Sequence, residues 1–288
     1  MDRGIVSAVG STRGQTTARP DIPMQDQEFW RKVLTEGHRP LVGARHRLFR
    51  RLPGPPRCKS CYIPFGGLGG KLAGLIGYQP SRKNPNICAV CCERLPPGGA
   101  EVDIAVLFAD LRGSTSLGER LGPGAFAAVL NGFYRTATEV LVAHDAIIDK
   151  LIGDEVMALF IRGICGPDYH RRAAEAAFAL AETLASGLGL PFGTAVHSGR
   201  SFVGNVGGEG VVDFTALGDT VNTAARLASA AAAGEVLLGE AVYAAVAKRA
   251  PDLEQRTLRP RGKDTSITVR VWRAAIGQSL MGLAERAV

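Results

Sequence analysis

The stretch DKLIGDEVMALF, residues 149–160, decides the fold. The segments AIIDK and EVMALF have the apolar, β-branched character of paired strands, and the LIGD between them contains the Gly and Asp that favour a tight turn. This pattern predicts a β-hairpin that carries Asp154 in its turn. Upstream, VDIAVLFADL (102–111) is mostly apolar and predicts a buried strand with a second carboxylate, Asp110, near its end.

The two carboxylates predict a site that handles phosphate. An isolated charge is costly to bury, so a carboxylate at the end of an apolar strand is solvated, paired or metal-bound. The sequence LRGST after Asp110 opens the next predicted helix, whose first N–H groups and dipole favour an anion. Two carboxylates beside such a turn suit one or two Mg²⁺ ions. Taken singly, each Asp fits an ordinary helix cap or turn equally well.

The sequence up to about residue 275 mixes further predicted strands and helices. Residues 123–143 and 169–187 are predicted helices, and Asp219 can cap a third, TVNTAARLASAA. A further helix, AVYAAVAKR, is predicted beside the strands FGTAVHSG, VVDFTAL, EVLLG and SITVRVWRA. This mixture indicates an α+β or α/β sandwich.

Three motifs, in this order, resemble those of the class III adenylyl and guanylyl cyclases. FADLRGST (108–115) and DKLIGDEVMALF resemble the two metal motifs, and LGDTVNTAARLAS (217–229) resembles the transition-state motif. The resemblance covers about residues 101–275. It implies an α+β fold, a ferredoxin-like, palm-type domain with a βαββαβ core and a sheet flanked by helices. It also implies an adenylate cyclase of the Thr-type subclass that converts ATP to 3′,5′-cyclic AMP and pyrophosphate.

The resemblance assigns roles to individual residues. Metal ligation, of two Mg²⁺ or Mn²⁺ per site, falls to Asp110, Asp154 and the carbonyl of Leu111. The residues that it assigns to substrate binding are Gly113, Ser114, Thr115, Lys150, Thr215 and, in RPRGK, Arg261. It assigns catalysis to Asn222, which would orient the ribose, and to Arg226, which would stabilise charge on the α-phosphate. The spacing of Asn222 and Arg226 agrees with a shared role in one site, because residues i and i+4 lie on one helix face.

The predicted base-reading residues favour ATP over GTP. Lys150 can donate a hydrogen bond to adenine N1, and the hydroxyl of Thr215 can accept one from adenine N6. Guanine needs an acceptor at its N1–H, which a lysine does not supply. Asp213, two residues before Thr215 on the same predicted strand face, is an alternative reader. Guanylate cyclase activity stays open as the alternative.

The resemblance also implies a homodimer with composite active sites, in which one subunit supplies the metal ligands and the other the base-reading and transition-state residues. Two rival functions fit parts of this sequence. A diguanylate cyclase is disfavoured because Ile152 replaces the first Gly of its GGDEF signature and the Asn222/Arg226 helix has no counterpart there. A catalytically inactive cyclase fold that serves as a sensor or scaffold, regulated by the cysteines described next, stays open.

Before the cyclase motifs, Cys58/Cys61 and Cys88/Cys91 form two CxxC pairs. Their spacing fits two knuckles that face one tetrahedral metal, and structural Zn²⁺ is the favoured ion. Iron, an iron–sulfur cluster, or redox-active or free thiols are the alternatives. Cys92 is an alternate ligand or a packed thiol, and Cys165 a core residue. The intervening FGGLGGKLAGLIG lacks P-loop spacing and is predicted as a flexible loop.

Composition completes the prediction. Residues 1–99 contain 16 Lys and Arg against 6 Asp and Glu, so this part can bind nucleic acid or another anionic partner, or simply be a solvated basic surface. No apolar run suits a signal peptide or a bilayer span, so a cytoplasmic protein is expected. The predicted organisation is a disordered basic tail (1–22), a helix and Arg-rich segment (23–57) with its helix at 24–36, the CxxC…CxxC module (58–94), a linker (95–101), the cyclase domain (102–275) and a C-terminal tail (276–288).

Overall fold

The computed structural model describes residues 24–37, 48–49, 51–187, 190–208, 211–259 and 266–274. The predictions for the tail 1–22, for Arg261 and for the C-terminal residues 276–288 lie outside these ranges. The strands are β1 (Gly98–Leu111), β2 (Ile147–Ile152), β3 (Glu155–Ile161), β4 (Phe192–Gly208), β5 (Val211–Leu217), β6 (Glu235–Gly239), β7 (Glu254–Leu258) and β8 (Ile267–Arg273). The helices are α1 (Met24–Glu36), α2 (Gly67–Leu75), α3 (Ser114–Leu121), α4 (Pro123–Ala143), α5 (Arg162–Cys165), α6 (Tyr169–Gly187), α7 (Asp219–Ala230) and α8 (Glu240–Ala244).

The strands form one mixed sheet in the order β2-β3-β1-β4-β6-β8-β7. Its pairs are antiparallel except for β4 and β6, which run parallel over Thr194–Val196 and Val236–Leu238. The long strand β4 pairs with the whole of β1 through its residues 192–205, and its last part, residues 202–208, also pairs with β5. The β4–β5 hairpin therefore extends beyond the body of the sheet, at the end where β1 begins.

Alternation along β1 divides the core into two layers. Leu107 and Ala109 pack on one face, among side chains of α4 and α6 such as Phe133 and Leu180. The intervening Val106 and Phe108 pack on the other face, with residues of α7 and of the N-terminal segment. β1 is buried on both faces over most of its length, which explains why it is a nearly continuous apolar run. The predicted α+β fold, with a sheet flanked by helices, is confirmed.

The N-terminal segment packs directly against the sheet. Trp30 of α1 is fully buried and stacks on Phe214 of β5, with ring centroids 6.2 Å apart. The amide of Ile148 donates to the carbonyl of Lys83 at 2.8 Å, so the loop before the second CxxC pair covers the open edge of β2. The side chain of Asn84 donates to the carbonyl of Ala146 at 2.8 Å. The module and the sheet are thus joined by a backbone hydrogen bond and by a shared core.

Three local features differ from the predictions. The Gly-rich stretch predicted as a flexible loop forms α2, because Gly69 and Gly70 let it lie where a Cβ atom would be 2.0 Å from the carbonyl oxygen of Pro53 and 2.4 Å from the backbone of Phe65. β1 begins at Gly98, inside the predicted linker, since this end pairs with β4. Asp219 is the first residue of α7 and Gly218 the cap.

Among the described residues, none of the helices is both long enough and apolar enough to span a bilayer.

Candidate active site

The end of β1 and the β2–β3 turn meet at the two predicted metal ligands. Asp110 lies opposite Glu155 in the β1–β3 ladder, and the amide of Leu111 donates to the carbonyl of Asp154 at 3.1 Å. The turn itself contains Gly153, whose φ of 60° is left-handed and favours glycine. The structure therefore brings Asp110, Leu111 and Asp154 together, as the sequence predicts.

The electrostatics of this cluster fit a divalent cation. Burial raises the pKa of Asp110, the guanidinium of Arg112 opposes the rise, and the Asp154 carboxylate adds to it. Burial, together with the charges of Asp110 and Asp154, raises the pKa of Glu155 to about 7. Arg112 donates to Asp110 at 2.8 Å and is the cation that this carboxylate contacts. An all-oxygen donor set with mutually repelling carboxylates suits Mg²⁺ or Mn²⁺.

The turn after β1 has the backbone geometry of an anion site. Gly113 caps α3 with a φ of 69°, and no side chain caps the N-terminus of this helix in the described structure. The first amides of α3, at Ser114 and Thr115, precede the first intrahelical donor, so they lack helical partners. These three residues and Asp110 follow one another at the same end of β1.

The predicted base-reading residues also lie in contact. The ammonium of Lys150 donates to the hydroxyl of Thr215 at 2.8 Å and to the carboxylate of Asp213 at 2.6 Å. The alternative reader, Asp213, is therefore a partner of Lys150 in the same cluster. Burial disfavours the charged lysine, but the bonds to Asp213 and to Asp149 outweigh it, so the pKa of Lys150 is raised. Lys150 is a firmly protonated donor.

Two members of this cluster were missed by sequence reasoning. Asp149, whose side chain is fully buried, accepts a hydrogen bond from the hydroxyl of Thr215 at 2.7 Å. Lys83, from the loop between the CxxC pairs, lies 3.2 Å from Asp149 and 2.9 Å from Asp213. The position of Asp149 next to Lys150 was a usable signal. Nothing in the sequence pairs Lys83 with a residue 66 positions away.

The predicted catalytic pair lies on α7. Asn222 is exposed, Arg226 is half-buried, and the two are one helical turn apart. Within the described parts of the chain, neither side chain is hydrogen-bonded or ion-paired to Asp110, Asp154, Lys150 or Thr215. The candidate residues thus form three groups: the carboxylate cluster, the lysine–threonine cluster and the α7 pair. Arg112 links the first group to α7, because it contacts Asp110 and also donates to the backbone carbonyl of Ala228.

Comparison with known proteins places this arrangement in a family. Residues 100–270 match the family model described as the adenylate and guanylate cyclase catalytic domain. The chain belongs to this cyclase family. Its β1, β2–β3 hairpin and α7 are elements of the matched catalytic domain.

Relatives and solved structures agree with the assignment. Adenylate cyclase 1 of Rhizobium meliloti is 32% identical over 136 residues, which are 43% of this chain and 20% of that protein. An uncharacterized protein of Mycobacterium tuberculosis is 32% identical over 136 residues, 47% of this chain and 25% of that protein. The chain thus spans a fifth to a quarter of the length of the curated relatives it matches.

Among solved structures, the guanylyl cyclase Cya2 is 27% identical, with a TM-score of 0.55 over 63% of this chain and 96% of that chain. The adenylyl cyclase CyaB from P. aeruginosa is 26% identical, with a TM-score of 0.54 over 61% of this chain and 96% of that chain. Both an adenylyl and a guanylyl cyclase are therefore similar to this cyclase domain, and the fold alone does not select the base.

The cysteine module lies before the matched cyclase residues and forms a second candidate centre. The Sγ atoms of Cys58, Cys61, Cys88 and Cys91 lie within 4.8 Å of one another, and all four residues are buried. The amides of Cys61 and Cys88 donate to Cys58 Sγ at 3.5 and 3.3 Å. Four converging sulfurs with N–H···S bonds fit one tetrahedral Zn²⁺ ion or another thiolate-binding metal.

The remaining cysteines lie outside this group. Burial raises the pKa of Cys92 to about 12 and that of Cys165 to about 12, so both are protonated, unreactive thiols at neutral pH. In contrast, hydrogen bonds from Cys61, Cys88 and Cys91 lower the pKa of Cys58. A thiolate at Cys58 is the form that binds a metal.

Proposed function

We propose that this protein is an adenylate cyclase that converts ATP to 3′,5′-cyclic AMP and pyrophosphate at the interface of a homodimer. The observation that carries the choice of ATP is the contact between Lys150 and Thr215, at 2.8 Å. A protonated lysine supplies the donor for adenine N1, and the threonine oxygen supplies an acceptor for the N6 amino group. Guanine presents the opposite pattern at both positions. The relative from Rhizobium meliloti, named adenylate cyclase 1, supports the same choice.

The residues that would bind the metal ions and the phosphates lie on β1, on the turn that follows it and on α7. Asp110, Asp154 and the Leu111 carbonyl would hold two Mg²⁺ or Mn²⁺ ions, which lower the pKa of a bound hydroxyl and offset charge on the phosphates. The amides after Gly113 bind phosphate oxygens through the N-terminus of α3. Arg226 donates to the α-phosphate, where charge grows as the ribose 3′-oxygen attacks, and Asn222 orients the ribose. Arg261 stays a predicted triphosphate contact.

A second copy of the chain would complete the site. Asn222 and Arg226 are turned to solvent or half-buried without partners among the described residues, so they are available to a substrate held by another subunit. Large apolar side chains are exposed on the two hairpins that flank the site: Ile152 is 52% exposed and Leu217 is 48% exposed. Exposed apolar surface on both hairpins favours association. In the symmetric dimer each subunit would supply carboxylates to one site and Lys150, Thr215, Asn222 and Arg226 to the other.

The N-terminal module would be a structural zinc site that stabilises the cyclase domain by covering the β2 edge. The four-sulfur geometry supports a metal, and the burial of all four cysteines favours a structural role over an exposed redox pair.

The deciding experiment is turnover of ATP and of GTP by the purified dimer, with Mg²⁺ or Mn²⁺, scored for the 3′,5′-cyclic product. Asp110→Ala and Asp154→Ala serve as inactive controls, with expected losses of at least about 100-fold. A higher kcat/KM for GTP would establish the guanylate cyclase alternative. The absence of product from both nucleotides, with the dimer confirmed, would defeat the cyclase proposal and favour the sensor.

A further inference from the structure

The cysteine module contributes a charged residue to the lysine–threonine cluster, which contains the proposed base-reading residues Lys150 and Thr215. Lys83 lies in the loop between the two CxxC pairs, and its side chain is only 15% exposed. Its ammonium donates to the backbone carbonyl of Asp149 at 2.8 Å and lies 3.2 Å from the Asp149 carboxylate. Its backbone carbonyl accepts from Ile148 at 2.8 Å. Lys83 is thus fixed at both ends against the strand that carries Lys150.

The hydrogen bonds around Thr215 have a fixed direction. A carboxylate can only accept, so the bond of 2.7 Å between Thr215 and Asp149 uses the single proton of the hydroxyl. Lys150 donates to the same oxygen at 2.8 Å. The oxygen of Thr215 therefore offers only a lone pair to a base. A lone pair suits the amino group at adenine N6 and repels the carbonyl oxygen at guanine O6.

The charge balance of the cluster depends on Lys83. Two carboxylates, Asp149 and Asp213, face two ammonium groups, Lys83 and Lys150. The Asp149 side chain is fully buried, so its charge requires compensation nearby. Without Lys83, Lys150 alone would compensate both carboxylates and would be held away from adenine N1. With Lys83 in place, Lys150 can exchange its bond to the 45% exposed Asp213 for one to the base.

We propose that Lys83 is a positioning residue for the substrate: through Asp149 it fixes the hydroxyl of Thr215 as a hydrogen-bond acceptor, and so selects adenine over guanine. This proposal rests on the adenylate cyclase function proposed above. It gives the module a role at the active site, because a residue outside the matched cyclase region sets the polarity of a base-reading group. Loss of the module's fold would then alter the choice of nucleotide.

Two variants test this assignment. Lys83→Met removes the cation, and the charge-balanced double variant Lys83→Met/Asp149→Ala removes the acceptor as well, which frees the Thr215 hydroxyl to rotate and donate. Both are expected to lower the ratio of kcat/KM for ATP to kcat/KM for GTP at least about tenfold, mainly through a higher KM for ATP. Lys71→Met, at an exposed lysine of the same module, is the matched control and leaves the ratio unchanged.

The ratio of kcat/KM for ATP to kcat/KM for GTP distinguishes a positioning defect from a folding defect. A purely structural defect lowers turnover of both nucleotides in parallel, whereas loss of the acceptor changes their ratio. If Lys83→Met does not fold, the double variant decides, because it leaves no unpaired charge on Asp149. A ratio within about twofold of wild type in the folded variants would overturn the assignment. Wild-type protein that cyclises neither nucleotide defeats the proposed function instead; the assignment is then decided by the ratio of ATP to GTP affinity in equilibrium binding to the same variants.

Discussion

At the scale of single residues, replacement of Arg226 should affect catalysis without affecting stability. Its side chain is half-buried and makes no hydrogen bond or ion pair within the described residues, so its removal disturbs no native contact of that kind. We expect Arg226→Ala to lower kcat by about 100- to 1,000-fold, because a cation placed on the transferring phosphoryl acts mainly in the transition state. The KM for ATP should change less than about threefold.

The stability of the Arg226→Ala variant is the second measurement. A surface change of this kind shifts the free energy of unfolding by about 0.5 kcal/mol or less, which urea titration resolves. Arg135→Ala, at an exposed arginine of α4, is the control and should keep full activity. Equal losses in the two variants would show that Arg226 has no specific role in the transition state.

At the scale of elements, Glu235 fastens the far edge of the sheet. It begins β6, its side chain is only 6% exposed, and it accepts two hydrogen bonds from Arg256 of β7, at 2.8 and 2.9 Å. Arg273 of β8 donates a third at 3.0 Å. We expect Glu235→Gln to lower the free energy of unfolding by about 2 kcal/mol, because it removes the buried carboxylate that Arg256 and Arg273 share and leaves them only the more exposed Glu254 as a charged partner. Glu240→Gln, at a more exposed pair with Arg270, should cost about 0.5 kcal/mol.

The contribution of Glu235 should depend on pH in a defined window. The bonds from Arg256, with that from Arg273, lower the pKa of Glu235 from 4.5 to about 2. Because the folded pKa lies below the unfolded one, the unfolded state takes up the proton first as the pH falls. The stabilisation is therefore complete above pH 4.5 and is lost as the pH falls towards 2. The difference in stability between wild type and Glu235→Gln should shrink across that window; a difference independent of pH would show that the ion pairs contribute nothing.

The elements also show what sequence can predict. The strands β1, β2 and β3 follow from local apolar patterning, and Asp110 and Asp154 follow from their position at the strand ends. α2 does not, because its glycines disfavour a helix until packing against Pro53 compensates. β7 was missed because EQRTL is polar and pairs only with β8. Lys83 was missed because its partners are distant in sequence and only the folded chain brings them together.

At the scale of the whole molecule, the four-cysteine centre should hold one metal ion per chain. Metal analysis of purified protein should give about one Zn²⁺ per chain, lost in Cys58→Ser and Cys88→Ser. Cys92→Ser and Cys165→Ser should keep it, since neither belongs to the group of four sulfurs. Loss of the metal should destabilise the loop that carries Lys83 and lower the ATP-to-GTP ratio. Stoichiometric iron would assign the alternative ion, and a metal-free protein with full stability would contradict a structural site.

The proposed dimer can be tested by mixing two inactive variants. Asp110→Ala lacks one of the metal ligands and Arg226→Ala lacks the transition-state cation, so each homodimer is expected to be inactive. If each site takes its carboxylates from one subunit and Arg226 from the other, a heterodimer has one site with both defects and one site with neither. Random exchange at equal amounts makes half of the dimers mixed, and each mixed dimer retains half of its sites, so about a quarter of the wild-type activity should return.

If both residues served the same site from one chain, each chain of the heterodimer would carry a defective site, and mixing would restore nothing. Activity measured against the mixing ratio, with chain exchange confirmed by differently tagged subunits, therefore decides whether the site belongs to one chain or to two.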